Sequence, residues 1–257
     1  MLFCLIPAKP YAESKSRLAA CLSLEGRVAL SRWLLRRTVR LARVVVGPVV
    51  VVSHDPALLA DAQAEGAWGL PEAGDGLNPA LAQAARFAQA QGADGVLALP
   101  IDLPCLTAAD LEAMLALAGG EASARPGLPP ALGQAPAGEA GLKPALPAHP
   151  AEADLKPALP VHPAVVIAPC RRESGTNALL LRPADLVPFS FGPASFAAHC
   201  AAARAAGVEP AVYRSASIAL DLDTPEDWRM VDLLIRFKRG SIVSINKRKS
   251  DLSSRGP

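Results

Sequence analysis

Aromatic residues make up only 4% of this 257-residue chain, and charged residues only 19%. Apolar residues nevertheless reach 51%, which is too apolar a composition for a chain that is disordered throughout. The net charge is +2, and a charge this small gives no argument for a nucleic-acid or membrane partner. The length predicts one substantial hydrophobic core, in one or two domains.

Long apolar runs and paired cysteines are also missing. The longest apolar run, residues 44–52, is interrupted by Gly47 and Pro48, whereas a membrane-spanning helix needs about 20 residues. The first apolar run ends at Pro7 with no basic segment before it, so we expect no export signal and a cytoplasmic protein. The five cysteines are scattered without C-x-x-C spacing, which argues against a disulfide framework or a zinc site.

Four nearly continuous apolar runs predict buried strands, as is typical of parallel strands covered on both faces. They lie at residues 2–7, 44–53, 95–99 and 164–168. Helical patterns lie at residues 24–41, 56–65, 78–91 and 107–118. The last of these begins with Thr107 and Asp110, a spacing close to that of a capping box. The alternation predicts βαβ units and an α/β fold with a mostly parallel sheet.

Two segments depart from this alternation. Residues 121–163 hold ten of the 25 prolines and a tandem repeat, 142–150 and 155–163. This composition predicts a low-complexity surface insertion, with a docking segment as the alternative. Residues 236–257 are basic, and we expect a solvated tail, with nucleic-acid or acidic-lipid binding as the alternative.

The loop after the first predicted strand carries three basic side chains, Lys9, Lys15 and Arg17. Ligands of open α/β sheets bind at the carboxyl ends of the strands, and basic side chains with loop amides suit a triphosphate. The loop has neither the Walker A pattern nor the G-x-G-x-x-G pattern of dinucleotide-binding proteins. An ordinary solvated loop is therefore an equally good interpretation of this segment alone.

Acidic residues follow the third predicted strand and recur near the end of the chain. Asp102 lies between Pro100 and Pro104, while Asp221 and Asp223 would face one side of an extended segment. Mg²⁺ prefers carboxylate and phosphate oxygens, so these residues are candidate metal ligands. Helix capping is the alternative, particularly for Asp223, which precedes a predicted helix start.

Two further loops combine glycine with a hydroxyl side chain. Residues 174–177 contain Gly175 and Thr176, and residues 191–196 contain Gly192 and Ser195. Loop amides and a hydroxyl group together suit a phosphate or carboxylate. Turn and cap chemistry would explain either loop if it stood alone.

Taken in order, these segments resemble the CofC/FbiD family, the guanylyltransferases of coenzyme F420 biosynthesis. The matching stretches read IPAK, SKSRL, VVSHD, GLN, LPIDLPCL, APCRRESGTNALLL, FGPASFAAH and DLDTPED. The resemblance implies one Rossmann-like, three-layer domain of the nucleotidyltransferase type, related to the molybdopterin guanylyltransferases. We place this domain at residues 1–235, interrupted by the insertion at 121–163 and followed by the tail.

The resemblance also implies an activity and its ligands. GMP would pass from GTP to the phosphate of phosphoenolpyruvate, with pyrophosphate as the leaving group and Mg²⁺ as the cofactor. 2-Phospho-L-lactate and 3-phosphoglycerate are the alternative acceptors. A related nucleotidyltransferase with another acid or nucleotide also stays open.

Site residues follow from the same resemblance. The triphosphate would be bound by Lys9, Lys15 and Arg17, with Asn78 near the base or ribose. Mg²⁺ would be held by Asp102 and Asp223, with Asp221 as a substitute. Lys15 and Asp102 would be catalytic. The acceptor would be bound by Thr176, Gly192 and Ser195.

Two residues depart from the family pattern, since Cys170 stands where aspartate is common and Glu173 where glycine is common. A non-catalytic GTP-binding relative is therefore a second class of function. A nucleic-acid binder using the basic tail is a third, although the chain lacks a run of stacking aromatics. The arginine-rich helix at residues 27–43 could face a second copy, which leaves a homodimer as one arrangement.

Overall fold

The computed structural model describes residues 1–119 and 162–238, with the backbone alone from residue 232 onward. Its seven strands are β1 (Leu2–Pro7), β2 (Val49–Ser53), β3 (Trp68–Pro71), β4 (Gly95–Ala98), β5 (Ala164–Pro169), β6 (Thr176–Arg182) and β7 (Ala211–Val212). They form one sheet in the order β3-β2-β1-β4-β6-β5-β7.

Parallel pairs predominate in this sheet. β1 pairs in parallel with both β2 and β4, β2 with β3, and β5 with β7. β6 is the exception, because it runs antiparallel to β4 on one side and to β5 on the other. The prediction of an α/β fold with a mostly parallel sheet is confirmed.

In the described residues, seven α-helices flank the sheet: α1 (Leu24–Val45), α2 (Pro56–Ala64), α3 (Leu77–Ala90), α4 (Ala108–Leu117), α5 (Ser195–Ala205), α6 (Ala216–Ala219) and α7 (Pro225–Lys238). Alternate residues of β1 point to opposite faces, so Cys4 and Ile6 join the core under α1, α2 and α4, while Phe3 and Leu5 join the core under α3 and α5. The three-layer arrangement is therefore also confirmed.

The second strand begins later than the sequence predicted. Val44 and Val45 complete α1, and β2 starts only at Val49. Gly47 has a φ of 132°, a conformation that favours glycine, and Pro48 cannot continue a helix. The pair therefore marks the junction between helix and strand, where the sequence analysis treated it as an interruption inside one strand.

Strands β3, β6 and β7 were not predicted. β3 and β7 have only four and two residues, and their residues are largely half-buried, so they lack the long apolar run that marks a core strand. β6 does contain such a run, Leu179–Leu181, and all three side chains are fully buried. This run was an available signal for a strand, although the only feature expected near it was the glycine-containing loop at residues 174–177.

The predicted insertion and tail lie largely outside the described residues, since the description stops at residue 119, resumes at 162 and ends at 238. α7 extends to Lys238, three residues beyond the predicted domain boundary at 235. Within the described residues, none of the helices combines the length and apolar character needed to cross a membrane.

The arginine-rich face of α1 is engaged within the chain. Asp61 of α2 accepts hydrogen bonds of 2.7 Å from Arg32 and from Arg36, and Glu65 accepts a bidentate pair from Arg40. These contacts fasten α1 to α2 and account for the arginines without a second copy. The homodimer stays a prediction.

Asp110 joins the two halves of the chain. Its buried carboxylate accepts hydrogen bonds from the backbone and hydroxyl of Thr107, which complete the predicted capping box of α4. It also accepts from Tyr213 at 2.9 Å, from Ser217 at 2.7 Å and from Ser215. A buried charge is tolerated because donors surround it on every side.

We expect Asp110→Ala to lower the free energy of unfolding by about 3 kcal/mol, because several buried donors lose their acceptor. Burial alone would raise the pKa of Asp110, but hydrogen bonds from Ser215, Thr107 and Ser217 outweigh it and hold the pKa below its usual value. The carboxylate therefore stabilises the fold above pH of about 4, and this contribution disappears as pH falls through the lowered pKa.

Urea unfolding of wild type and Asp110→Ala from pH 7 down to pH 3 measures this directly. The difference between the two proteins should shrink below pH of about 4. A difference that stays constant over the whole range would contradict the assigned ionic role of Asp110.

Candidate functional site

A cleft of about 520 Å³ opens at the carboxyl ends of β1 and β4. Because β6 is antiparallel to β4, its first residue, Thr176, lies at this same edge of the sheet. The cleft therefore combines a parallel-strand edge, where α/β proteins bind ligands, with the start of a strand from the second half of the chain.

Most of the predicted site residues meet in this cleft. Its lining includes Arg17, Asp102, Thr176, Gly192, Ser195, Asp221 and Asp223. Lys15 contacts the lining through ion pairs with Asp102 and Asp223. Lys9 is exposed on the preceding loop. Residues predicted from five separate segments of the sequence thus border one cavity.

Lys15 lies between the two acidic segments. Its ammonium nitrogen is 3.5 Å from Asp102 Oδ2 and 3.4 Å from Asp223 Oδ1, and its side chain is only 5% exposed. Arg17 Nη1 lies 3.9 Å from the second oxygen of Asp223. The basic loop and the acidic loops, which the sequence presented separately, form a single cluster of charges.

Helix capping does not occupy the candidate metal ligands. Thr224 caps α7, because Asp227 N–H donates to Thr224 Oγ1 at 3.2 Å and Asp227 Oδ2 accepts from the Thr224 backbone at 2.8 Å. Leu222 N–H donates to the carbonyl of Asp102 at 2.9 Å and ties the two acidic loops together. The carboxylates of Asp102 and Asp223 are left facing the cleft.

This cluster has the chemistry of a cation site. Burial raises the pKa of Asp221, and repulsion from Asp102, Asp223 and Asp227 raises it further, which shows that negative charge is crowded here. Asp102 and Asp223 are already close enough to share one cation, the Lys15 ammonium. Within residues 1–119 and 162–238 no three acidic, histidine or cysteine side chains form a ready-made metal group. A metal ion here would complete its shell with phosphate oxygens.

Hydrogen bonds between side chains and backbone groups hold the loops at the opposite end of the cleft. Ser195, the first residue of α5, accepts the Thr176 N–H at Oγ over 2.9 Å. The loop before it is fixed by Asn78, which accepts the Phe191 N–H at 2.7 Å and donates to the Phe191 carbonyl at 3.1 Å. The side chain of Asn78, predicted to lie near the base or ribose, therefore supports the loop that contains Gly192.

Backbone strain concentrates around the cleft. Within the described part of the chain, positive φ values at residues other than glycine occur at Lys15, Glu173 and Ala194. Each belongs to a loop that borders the cleft, and such conformations persist where surrounding contacts hold them in place. The conformation of Glu173 explains why glycine is common at this position in the family that the sequence resembles.

His199 was not predicted as a site residue. It is fully buried on α5 and lies between Thr176 Oγ1, 2.9 Å from Nδ1, and the Ser190 N–H, which donates to Nε2 at 3.0 Å. Burial lowers its pKa to about 4. Ser195 and His199 are four residues apart, which places them on one face of a helix, and this spacing was the available sequence signal.

The two residues that depart from the family pattern, Cys170 and Glu173, both make contacts that hold their loop in place. Cys170 Sγ accepts the Gly175 N–H at 3.2 Å. Burial raises the pKa of this thiol, but hydrogen bonds from the loop outweigh burial and the net pKa is lowered. The carboxylate of Glu173 is paired with Arg214 at 2.6 Å, outside the residues that line the cleft. Its negative charge is thus neutralised away from the candidate anion site.

We expect Cys170→Ala to lower the free energy of unfolding by about 1 kcal/mol and to speed amide exchange at Gly175, because that N–H loses its acceptor. Cys170→Ser and Cys170→Asp keep an acceptor and serve as matched controls. Denaturant unfolding and hydrogen exchange by NMR measure both effects. Equal exchange at Gly175 in wild type and the alanine variant would show that the sulphur does not protect this loop.

Known guanylyltransferases are similar to this chain over most of its length. A family model described as "Guanylyl transferase CofC like" matches residues 2–124 and 151–238. A phosphoenolpyruvate guanylyltransferase of Rubrobacter xylanophilus is 39% identical over 88% of this chain and 91% of its own. One from Sphaerobacter thermophilus is 32% identical over 86% and 88%. A 2-phospho-L-lactate guanylyltransferase of Methanothermobacter thermautotrophicus is 30% identical over 87% and 80%.

Solved structures share the fold at low sequence identity. A structure assigned as a nucleotide-diphospho-sugar transferase from Desulfovibrio desulfuricans superposes with a TM-score of 0.62 at 14% identity, covering 93% of this chain and 88% of its own. CMP:2-keto-3-deoxy-manno-octonic acid synthetase, solved with CTP, gives 0.53 at 16% identity, covering 93% and 99%. These likenesses show the nucleotidyltransferase-type fold and nothing finer.

Proposed function

The chain belongs to the CofC-like family of guanylyl transferases, and on that basis we propose that it transfers GMP from GTP to the phosphate of phosphoenolpyruvate. The Rubrobacter and Sphaerobacter relatives are named for this acceptor, which supports the choice over 2-phospho-L-lactate. The product would be enolpyruvyl-diphospho-guanosine, an intermediate for coenzyme F420 biosynthesis. One observation carries the proposal, namely that a single cleft has one end lined by carboxylates and another lined by hydroxyls.

The reaction needs no nucleophile from the protein. An oxygen of the acceptor phosphate attacks the α-phosphorus of GTP, a new phosphoanhydride bond forms, and the bond from the α-phosphorus to the β-bridging oxygen breaks. Pyrophosphate leaves with the electron pair, and no proton has to move. The barrier is chiefly repulsion between two anions and charge on the leaving group, so positioning and charge compensation supply the catalysis.

Lys15 and Arg17 are proposed to meet the triphosphate. Both belong to the segment that follows β1, and Lys15 is held at the cleft by Asp102 and Asp223. A point charge with three donors suits phosphate oxygens. Lys9, exposed on the same loop, is proposed to reach the outer phosphates, and Asn78 to act near the base or ribose through the loop it supports.

Asp102 and Asp223 are proposed to hold Mg²⁺, with Asp221 beside them. The crowding of carboxylates around one buried ammonium supports a divalent cation at this place, with phosphate oxygens as the remaining ligands. Bound Mg²⁺ would supply positive charge that screens the two anions and the leaving pyrophosphate. The carboxylates themselves orient the ion, and Lys15 fixes the separation between them.

Thr176, Gly192 and Ser195 are proposed to bind the acceptor. The two hydroxyls lie at the start of β6 and of α5, joined by the hydrogen bond from Thr176 N–H to Ser195 Oγ. Gly192 lines the cleft beside them with a φ of 133°, which leaves its backbone open to a close approach by the ligand. Hydroxyls and amides of this kind suit the phosphate and carboxylate of a three-carbon acid.

A non-catalytic GTP-binding relative is the alternative of a different class. The contacts of Cys170 and Glu173 weigh against it, because Cys170 accepts the Gly175 N–H in the wall of the cleft and Glu173 is paired with Arg214 outside it. We expect pyrophosphate release from GTP and Mg²⁺ with phosphoenolpyruvate, and none with 2-phospho-L-lactate or 3-phosphoglycerate, in parallel assays. Release with another acid alone would reassign the acceptor. Silence with all three, from protein that is stabilised by GTP in a thermal shift, would favour the non-catalytic relative.

We expect Asp102→Asn to lower turnover at least about hundredfold, since Mg²⁺ would lose one of its carboxylate ligands and the transition state the positive charge that screens it. Glu209→Gln, which removes an exposed carboxylate paired with Arg204, is the matched control and should retain full turnover. Thermal unfolding shows whether both variants are folded. Turnover of folded Asp102→Asn within a factor of about two of wild type would exclude the metal assignment.

A further inference from the structure

The hydrogen bonds of His199 determine where its ring proton lies. The Ser190 backbone N–H can only donate, and it points at Nε2 over 3.0 Å, so Nε2 carries no proton. The ring is completely buried, and its pKa of about 4 keeps it neutral near pH 7. A neutral imidazole has one N–H, which must therefore be on Nδ1.

This tautomer fixes the role of the Thr176 hydroxyl. Nδ1–H of His199 donates to Thr176 Oγ1 over 2.9 Å, so the hydroxyl accepts here and its own proton is directed elsewhere. Among the residues with described side chains, Oγ1 has no second hydrogen-bond partner, and Thr176 lines the cleft. The hydroxyl is thereby kept as a donor toward whatever occupies the cleft.

Ser195 is arranged in the same way. Its oxygen accepts the Thr176 N–H over 2.9 Å, so its proton is also available. Both hydroxyls have an acceptor position filled by the protein itself. Such a pair offers two O–H donors to the cleft, which suits the oxygens of an ionised phosphate or carboxylate.

We propose that His199 is a positioning residue that holds the Thr176 hydroxyl as a hydrogen-bond donor to the anionic group of the acceptor. This inference rests on the proposed function, since it concerns the same acceptor site. His199 does not touch the acceptor and transfers no proton. It acts through Thr176 alone, and its effect falls on acceptor binding rather than on GTP binding.

His199 also has a structural role, because it fixes Ser190 and packs edge-on against Phe191 at 5.0 Å between ring centroids. A test of the proposal has to distinguish that role from its action on Thr176. Asparagine places its side-chain amide near the position of Nδ1, and glutamine places its amide near that of Nε2. His199→Asn can therefore still donate to Thr176, while His199→Gln can still accept from Ser190 but loses the donor to Thr176.

Steady-state kinetics of wild type, both His199 variants, Thr176→Val and the double variant His199→Gln/Thr176→Val test the proposal. We expect His199→Gln to raise the KM for phosphoenolpyruvate about tenfold with the KM for GTP unchanged, as for one hydrogen bond to a charged group. His199→Asn should be close to wild type. The double variant should be no worse than Thr176→Val, because the histidine acts through that hydroxyl.

Effects of His199→Gln and Thr176→Val that multiply in the double variant would overturn the proposal, as would a larger loss in His199→Asn than in His199→Gln. The ring tautomer of wild-type protein, measured by ¹⁵N NMR of the imidazole, needs neither a variant nor turnover. Protonation at Nε2 would overturn the proposal even if every variant failed to fold. Absence of turnover with any acid, together with protonation at Nδ1, would instead count against the proposed function alone.

Discussion

The Lys15 ammonium lies 3.5 Å from Asp102 and 3.4 Å from Asp223, and so it joins three stretches of chain that are far apart in the sequence. Removing an ammonium from water costs free energy that its partners offset, and the Lys15 side chain is only 5% exposed. The two carboxylates would repel each other without the ammonium. Each group therefore fixes the others. The three loops at this end of the cleft are thus joined by one set of charges.

Other residues leave these charged groups available. Thr107 caps α4 and Thr224 caps α7, so the aspartates that precede those helices do not have to act as caps. The same separation of tasks holds at the opposite end of the cleft, where Asn78 fixes the backbone of Phe191. Helix capping and support of the Phe191 loop thus fall to side chains other than the candidate ligand-binding groups.

Local patterns in the sequence predicted much of the fold and most of the cleft lining. Continuous apolar runs identified β1, β4 and β5, and the Thr107–Asp110 spacing identified the start of α4. The motifs, taken in their order along the chain, identified Asp102, Thr176 and Asp223 as candidate site residues. The family resemblance placed these residues in one site, but local patterns alone could not, because the position of Thr176 depends on β6 entering the sheet antiparallel beside β4. His199 was missed for a similar reason, since its partners Thr176 and Ser190 become neighbours only through tertiary packing.

The position of β6 in the sheet also bears on when its pairing with β4 can form during folding. β1 to β4 come from the first 98 residues and pair with one another in parallel, whereas β6 must find β4 across about 80 intervening residues. Pairings between distant segments form late, because closing a long loop costs entropy before any contact compensates for it. On the ribosome the amino-terminal part emerges first, yet its aspartate at 102 has no partner loop until residue 223 has been made. The cleft is therefore completed only after residue 223 has been made, and a chain that stops short of this residue lacks part of the lining.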